Sequence, residues 1–351
     1  MSIPFVRAGL VGVTGYTGME LARILAGHPH IRLSAATSRA EAGKRLGDIY
    51  PFLNKLPGAD VRLIEPDPVA VAAACDIVFL AVPHGAAVEM AAALLDLGKK
   101  VIDLSADFRL RDPALYDQWY EKHSRPDLLP RAVYGLPELY AEAIARAQLV
   151  ANPGCYPTAS VLGLAAPLAA GMIETGGIVI DAKSGTSGAG RTPGVATLFC
   201  EVQDTFRAYS LARHRHAPEI EQEVSALAGT PVALNFAPHL VPMNRGILAT
   251  IYTSLKTPIG SAEAQAVFEN YWKDAPFVRV LPAGLLPETR HVRGSMFCDL
   301  AVLADPRTRR LIIVSVIDNL CRGASGQAVA NANLMCGLPL AAGLDAAPLM
   351  P

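Results

Sequence analysis

The chain carries almost no net charge. Its 31 Lys and Arg oppose 32 Asp and Glu, a formal −1 over 351 residues. That balance creates no bulk field for nucleic acid or an anionic membrane. Six cysteines, at 75, 155, 200, 298, 321 and 336, include no Cys-x-x-Cys pair and no secreted disulfide spacing. A reduced, cytosolic protein without a zinc site is expected. Gly, Pro or charge interrupts every apolar run well before the ~18 residues that a membrane span needs. The start, Met1-Ser2-Ile3-Pro4-Phe5-Val6-Arg7, lacks a basic segment followed by an apolar core, so no signal peptide is expected. Internal repeats and low-complexity tracts are missing as well. What the chain does have is apolar surface to bury: 51% hydrophobic and 18% charged residues fit a compact enzyme of two domains and argue against disorder.

The first 150 residues alternate short apolar strands with helical patterns, the texture of a parallel sheet covered on both faces. Strands are predicted at Val6–Val13, Ile31–Ala36, Ile77–Val82 and Val101–Leu104. Helices are predicted at Thr17–Ala26 and Ala86–Leu97, the second stopped by Gly98. Arg111–Pro137, rich in Pro, Tyr and charge, reads as an irregular excursion. After residue 155 the strands lengthen: Ile178–Ala182, Val232–Phe236, Ile247–Leu255, Met296–Leu303 and Leu311–Ile317. Asp305–Thr308 is predicted as the hairpin turn between the last two. Helices are expected at Pro218–Leu227, Ala262–Trp272 and Ser325–Met335. The fold class is therefore α/β: a Rossmann-type parallel-sheet cofactor domain plus an α+β catalytic domain with a mostly antiparallel sheet. A cleft between two such domains is the expected meeting place of cofactor and substrate.

Gly12-Val13-Thr14-Gly15-Tyr16-Thr17-Gly18 stands at the first strand-to-helix junction. Small residues there let backbone amides and a helix N-terminus approach a pyrophosphate. The G-x-x-G-x-x-G spacing is unspecific alone; its βαβ setting makes it a dinucleotide loop rather than an ordinary glycine-rich turn. The second strand ends in Thr37-Ser38-Arg39, with no carboxylate before Glu41 to take a ribose 2′-hydroxyl. A hydroxyl and a guanidinium suit a 2′-phosphate, so NADP(H) is the expected cofactor, against a reading of Arg39 as a solvated surface charge.

Asn152-Pro153-Gly154-Cys155-Tyr156-Pro157-Thr158 puts a cysteine between a Pro-Gly turn and a long apolar helix. The positive end of the peptide dipoles favours thiolate there. Cys75, Cys200, Cys298 and Cys336 sit in apolar strand- or helix-like surroundings and read as packed hydrophobes. Cys321, beside Arg322 and Gly323, is the one competitor. A thiolate nucleophile needs a proton-transfer partner. His214 and His216, just ahead of a helix that Pro218 can open, and His239 are the candidates, and spacing does not choose among them. Two histidines alone lack the further ligands a metal would need. Gly185–Thr192 nearly matches a phosphate-binding P-loop, but it has Arg191 for the required Lys. Pro193-Gly194 also stops the helix such a loop needs.

Taken together, these segments resemble the N-acetyl-gamma-glutamyl-phosphate reductases, NADPH-dependent enzymes of arginine biosynthesis. The resemblance runs in order over nearly the whole chain. It includes Val82-Pro83-His84-Gly85, Asp103–Arg109, Tyr134–Glu138, Asn152–Thr158, Ser184–Arg191, His214–Glu219, Pro238–Gly246 and Asp318–Asn331. The Asn-Pro-Gly-Cys-Tyr-Pro-Thr and His-Arg-His-x-Pro-Glu runs are the specific ones. The resemblance implies that Cys155 is the nucleophile, His216 the acid/base and Glu219 its orienting partner. It implies substrate contacts at Arg109, Asn152 and Ser187. Cofactor contacts are implied at Pro83, Ser184, Gly185 and Asn319, beside Gly12, Gly15, Tyr16, Thr17, Gly18, Ser38 and Arg39. It further implies that the last helix packs back on the cofactor domain. The expected domains are 1–151 with 319–351 for NADP binding and 152–318 for catalysis and oligomerisation. The implied partners are a small-molecule acyl phosphate, phosphate and further copies of the chain, as a homodimer or homotetramer; nucleic acid and membrane are not among them. Three rivals compete: a sister reductase of carrier-linked aminoadipyl phosphate or aspartyl phosphate, a non-enzymatic NADPH-binding redox sensor using Cys155, and a P-loop NTPase.

Overall fold

The computed structural model describes residues 5–350. The chain divides into two compact units, Met1–Pro153 with Ala324–Ala346, and Gly154–Gly323 with Ala347–Pro351. The return to the first unit comes at Ala324 rather than at the expected Asn319. Asp318 and Asn319 hydrogen-bond to Arg245, Gly246 and Gly294, which keeps that turn with the second unit.

The first unit holds seven parallel strands: β1 Val6–Val11, β2 Ile31–Thr37, β3 Leu63–Ile64, β4 Ile77–Leu80, β5 Lys100–Asp103, β6 Ala132–Tyr134 and β7 Leu149–Ala151. Their order is β3-β2-β1-β4-β5-β7-β6. All four residues of β4 are fully buried, as a strand covered on both faces requires. On one side Val71, Val88, Ala91, Leu94 and Leu95, from the helices Pro68–Ala74 and Ala87–Asp96, close over Val78 and Leu80. Connections leave β1 toward β2 on one side and return through β4 on the other. The C-terminal ends of β1 and β4 thus form the switch point at which such sheets bind ligands.

The expected excursion at 111–137 is more regular than its composition suggests. Asp112 caps a helix, Pro113–Trp119, by accepting from the Ala114 N–H at 2.9 Å, and Pro113 fits the first helical position. The stretch ends in β6, an edge strand paired only to β7.

The helix Gly326–Met335 belongs to this unit. Ser325 donates to the Thr17 carbonyl at 2.8 Å, and Gln327 and Asn331 both donate to the Gly135 carbonyl. Asn333 accepts from His28, which is fully buried.

The second unit has seven strands in a mixed sheet, five of them eight residues long: β8 Ile178–Gly185, β9 Arg207–Ala208, β10 Leu234–Val241, β11 Ile247–Ser254, β12 Val278–Val280, β13 Cys298–Asp305 and β14 Arg310–Ile317. They run in the order β12-β13-β14-β11-β8-β10-β9. Four neighbour pairs are antiparallel, while β8/β10 and β12/β13 are parallel. Burial alternates residue by residue along β8, β11 and β14, so one face is covered and the other half-exposed. The covering layer is led by Cys155–Ala169, buried from Tyr156 to Leu168, which explains its unbroken apolar sequence. Gly163 lets it approach the sheet, since a Cβ there would lie 3.0 Å from Ile251. His216–Ala228 and Ser261–Trp272 flank it. Val232–Phe236 was the expected strand, but β10 runs on through Pro238-His239. Pro238 fits because the two-residue ladder to β9 involves only His239 and Leu240. No helix among the described residues is long and apolar enough to cross a membrane.

His28 supplies a test of how the last helix is held. Its Nδ1 accepts from the N–H groups of His30 (3.1 Å) and Ile31 (2.9 Å), so Nε2 carries the proton and donates to Asn333 Oδ1 at 3.0 Å. Burial lowers its pKa, so the unfolded chain binds the extra proton first as pH falls. The stability advantage of the wild type over His28→Gln should be about 1–3 kcal/mol at neutral pH. It should shrink as pH falls below the ordinary histidine value, as measured by denaturant unfolding at several pH values. A pH-independent difference would place the contribution elsewhere.

Candidate active site

Two helix N-termini present their first residues to one cavity of about 320 Å³. Cys155 is the first residue of Cys155–Ala169; no side chain caps that helix, and Thr158 bonds back to the Gly154 carbonyl at 2.9 Å. Cys155 is half-buried, whereas Cys321 is buried. His216 is the first residue of His216–Ala228. Glu219, one turn further and 1% exposed, accepts from the Gly154 N–H at 2.8 Å. The carboxylate thereby ties the histidine helix to the residue before the cysteine. This bond anchors the turn before Cys155 and adds to the place of Glu219 one turn from His216.

His214 sits in an aromatic box, with ring centroids 5.5 Å from Tyr156, 5.5 Å from Tyr209, 5.2 Å from Phe236 and 4.9 Å from His216. Its Nδ1 accepts from the His216 N–H at 3.1 Å. Burial, reinforced by the Arg215 charge, lowers its pKa to about 4. It is therefore neutral near pH 7 and holds the backbone of His216. The Tyr156 and Tyr209 hydroxyls lie 3.0 Å apart, and burial raises both phenol pKa values, so they stay protonated. His239 lines no part of this cavity; its Nδ1 lies 3.2 Å from Asp181, on the half-exposed side of the sheet.

Ser184, Gly185 and Gly188 form another wall. A Cβ on Gly185 would lie 2.7 Å from the Asn244 carbonyl oxygen. The Asn319 side chain is fully engaged, accepting from the Gly246 N–H at 2.7 Å and donating to Ser187 Oγ at 3.0 Å. Behind this wall Asp318, fully buried, accepts from Arg245 (2.8 and 2.9 Å), Gly294 (2.6 Å), Leu320 (2.8 Å) and Cys321 (2.8 Å). Its carbonyl accepts from Gly323 at 2.9 Å, and a Cβ on Gly323 would lie 2.7 Å from Cys155 Cβ. The near-match to a P-loop at 185–192 forms only a 3₁₀ turn, Thr186–Ala189, ended by Gly190 at φ 82°.

In the first unit the glycine loop follows β1. Gly12 has φ 91°, and a Cβ there would lie 2.4 Å from the Ala81 carbonyl oxygen; one on Gly18 would lie 2.3 Å from the Gly12 carbonyl oxygen. These two glycines bring the β1 turn, the helix Tyr16–Ala26 and the end of β4 together. Gly15 precedes the helix, no side chain caps it, and nothing crowds its Cβ position closer than 3.9 Å. An uncapped helix start in an open glycine turn fits a pyrophosphate. The Thr37 hydroxyl accepts from the Gly12 N–H at 3.3 Å, leaving buried Ser38 and exposed Arg39 at the end of β2. Pro83 is exposed after β4, beside Gly85, whose N–H donates to both Asp107 oxygens at 2.8 Å. Arg109 is 8% exposed and donates to the carbonyls of Asn152 (2.8 Å) and Leu104 (2.9 Å). The Asn152 side chain bridges Ala324 and Asn331.

Residues 7–147 match the family model "Semialdehyde dehydrogenase, NAD binding domain", and residues 155–319 match "Semialdehyde dehydrogenase, dimerisation domain". Proteins from Geobacter sp. (strain M21) and Geobacter sulfurreducens, each named N-acetyl-gamma-glutamyl-phosphate reductase, are each 52% identical over 99% of this chain and 100% of their own length. The chain belongs to the semialdehyde dehydrogenase family. It is an oxidoreductase with an NAD(P)-binding domain, and the likeness drawn from its motifs holds over the full length. The fold agrees with aspartate semialdehyde dehydrogenase II from Vibrio cholerae (TM-score 0.72, 16% identity, 95% of this chain and 99% of that one). It agrees equally with the Candida albicans aspartate semialdehyde dehydrogenase solved with NADP (0.71, 16%, 95% and 98%).

Sequence reasoning overlooked Tyr156, Tyr209 and Phe236 as the box around the histidines, and Asp318 as the support behind Cys155. Cys200, expected in apolar packing, is exposed on a four-residue helix, Phe199–Val202, too short to bury it. Asp318→Ala would leave the Arg245 charge without its buried counterion and should cost about 3–5 kcal/mol in a denaturant titration. Gly323→Ala should instead act locally. It should slow Cys155 alkylation on the order of tenfold, because a displaced group loses its attack geometry. Unchanged alkylation would show that Gly323 does not set the position of the thiol.

Proposed function

We propose that this enzyme reduces N-acetyl-gamma-glutamyl phosphate to N-acetylglutamate 5-semialdehyde and phosphate, reversibly, with NADPH, in arginine biosynthesis. The observation that carries this reading is the half-buried Cys155 at a helix start, sharing its cavity with His216. The substrate class follows from the two reductases that are half identical to it over their whole length. The reading puts the enzyme to work in the cytoplasm, a reducing compartment that suits six free cysteines.

Cys155 Sγ, as thiolate, attacks the acyl carbon; the C–O bond to phosphate breaks, and a thioester remains on the enzyme. The helix N-terminus stabilises the thiolate before attack and draws the carbonyl oxygen toward its amides as negative charge grows there. A bound reduced nicotinamide supplies the two electrons and the hydrogen that the thioester carbon needs. His216 takes the thiol proton at the start and returns it to the departing sulfur at the end, while the oxyanion on the former thioester carbon re-forms the carbonyl. The C–S bond then breaks to free the aldehyde. Glu219 acts as a positioning residue for both helices. Arg109, which follows β5, and Asn152, in the turn leading to Cys155, receive the phosphate, a task suited to a guanidinium fork. Ser187 meets the substrate. Ser184, Gly185, Pro83 and Asn319 serve the nicotinamide end; Asn319 does so through the loop it holds. Gly12, Gly15, Tyr16, Thr17 and Gly18 receive the pyrophosphate, and Ser38 and Arg39 the 2′-phosphate. The half-exposed face of the second sheet supports assembly into a homodimer or homotetramer.

The decisive assay follows NADPH formation from acetylglutamate semialdehyde with and without phosphate. Cys155→Ser should abolish turnover and leave NADPH binding intact; substantial residual activity would move the nucleophile to Cys321. His216→Asn should cost on the order of 100-fold in rate, and His214→Asn less, because His214 is neutral and holds only a backbone. The reverse order would reassign the acid/base. Arg39→Asp should shift preference from NADPH toward NADH; an unchanged ratio would place the 2′-phosphate elsewhere. Equal or faster turnover of a carrier-linked aminoadipyl or an aspartyl homologue would favour the sister reductase.

A further inference from the structure

The segment from Val195 to Leu211 has two sides. Ala196, Thr197, Arg207 and Tyr209 face the cavity that holds Cys155. Five apolar side chains of the segment turn outward, Val195 (74% exposed), Leu198, Phe199 (76% exposed), Phe206 and Leu211, beside the exposed polar Glu201, Gln203, Asp204 and Ser210. Soluble chains rarely leave so large an apolar cluster open in so short a stretch unless a partner covers it. The backbone here also needs outside support. Asp204, Ser210 and Ala212 adopt positive φ values of 57°, 48° and 56°, three of the five such non-glycine residues among those described. Tertiary anchors gather at Tyr209, whose N–H donates to the Pro238 carbonyl at 3.1 Å and whose phenol meets Tyr156, and few hold the rest of the segment. Arg207 donates to the Ala196 carbonyl, the two-residue strand β9 pairs to the edge of β10, and the Phe206 ring lies 5.2 Å from that of His239. His239 belongs to the half-exposed face of the sheet, beside Lys183 in the register of β8 and β10. The apolar segment is therefore continuous with that face.

We infer that a second copy of this chain covers the outer side of residues 195–211, and that this contact fixes the inner side as a wall of the Cys155 cavity. This rests on the homo-oligomer reading above and extends it: assembly sets the position of Arg207 and Tyr209 and so couples catalysis to the subunit contact. A second copy is the occupant because the segment lies within residues 155–319, the part that matches a dimerisation domain, and because it adjoins the open sheet face. The phenol of Tyr209 bonds to that of Tyr156, the residue after the nucleophile, so slack in the segment reaches the active cysteine directly.

Cys200, exposed in a single chain and next to Phe199, reports on the contact. In the full-length wild type, alkylation by iodoacetamide, located by mass spectrometry, should be at least about tenfold slower at Cys200 than in the Phe199→Asp variant. Sedimentation should show Phe199→Asp dissociated, with unaltered far-UV circular dichroism and NADPH binding. Its kcat for phosphate-dependent aldehyde oxidation should fall at least about tenfold, as displacement of a cavity wall predicts. Val195→Asp, at another exposed position, should repeat the pattern and guards against a folding defect in the first variant. Wild-type Cys200 reacting as fast as in the variant, or a variant that stays assembled, would overturn the contact. A dissociated variant with wild-type kcat would overturn the coupling. Should the wild type lack the proposed turnover, Cys200 protection and sedimentation would still decide the contact by themselves.

Discussion

The hydrogen bond from the Gly154 N–H to Glu219 is the constraint on which the Cys155 cavity depends. It joins two segments 65 residues apart in sequence and brings the beginnings of two helices to one cavity. Each helix contributes its first residue, Cys155 or His216, where peptide dipoles favour a thiolate and a neutral imidazole. A buried carboxylate that accepts from a backbone amide is a strong, directional tie. Because Cys155–Ala169 is buried almost all round, this helix cannot shift without disturbing the core. Rigidity of this kind suits the proposed two-step transfer of an acyl group.

A second support lies behind the first. The Asp318 carboxylate gathers Arg245 and three backbone amides and so shapes the turn that ends in Gly323, against which Cys155 packs. Asn319, its neighbour, holds the Ser187 loop. Cys155 is thus fixed from one side by the histidine helix and from the other by the turn that follows β14. His214 is tuned differently: it lies buried in rings and is too weak a base to be charged near neutrality, and its role is to carry the His216 backbone.

Much of this was legible from residue order. Period-two and unbroken apolar runs marked both sheets, and the Gly12–Gly18 turn and Cys155 declared themselves through neighbours in sequence. The less legible features share one property, dependence on contacts distant along the chain. Asp318 reads as an ordinary turn aspartate until Arg245 and Gly294 are brought to it. Tyr156, Tyr209 and Phe236 sit in three separate elements and become a box only on folding. The helix Pro113–Trp119 was hidden for another reason: its Asp112-Pro113 start signal was outweighed by the polar, proline-rich composition around it. Choosing His216 over His214 and His239 likewise needed the likeness to a family, since spacing treats the three alike. The structure then showed His239 outside the cavity.

The central claim is that one sulfur carries the acyl group, and trapping that adduct tests it most directly. The enzyme, NADP+ and acetylglutamate semialdehyde are mixed without phosphate, quenched in acid, digested and analysed by mass spectrometry. One acetylglutamyl group on the peptide containing Cys155, discharged when phosphate is added before the quench, is the predicted result. An adduct on another side chain, or turnover without any covalent species, would contradict the account.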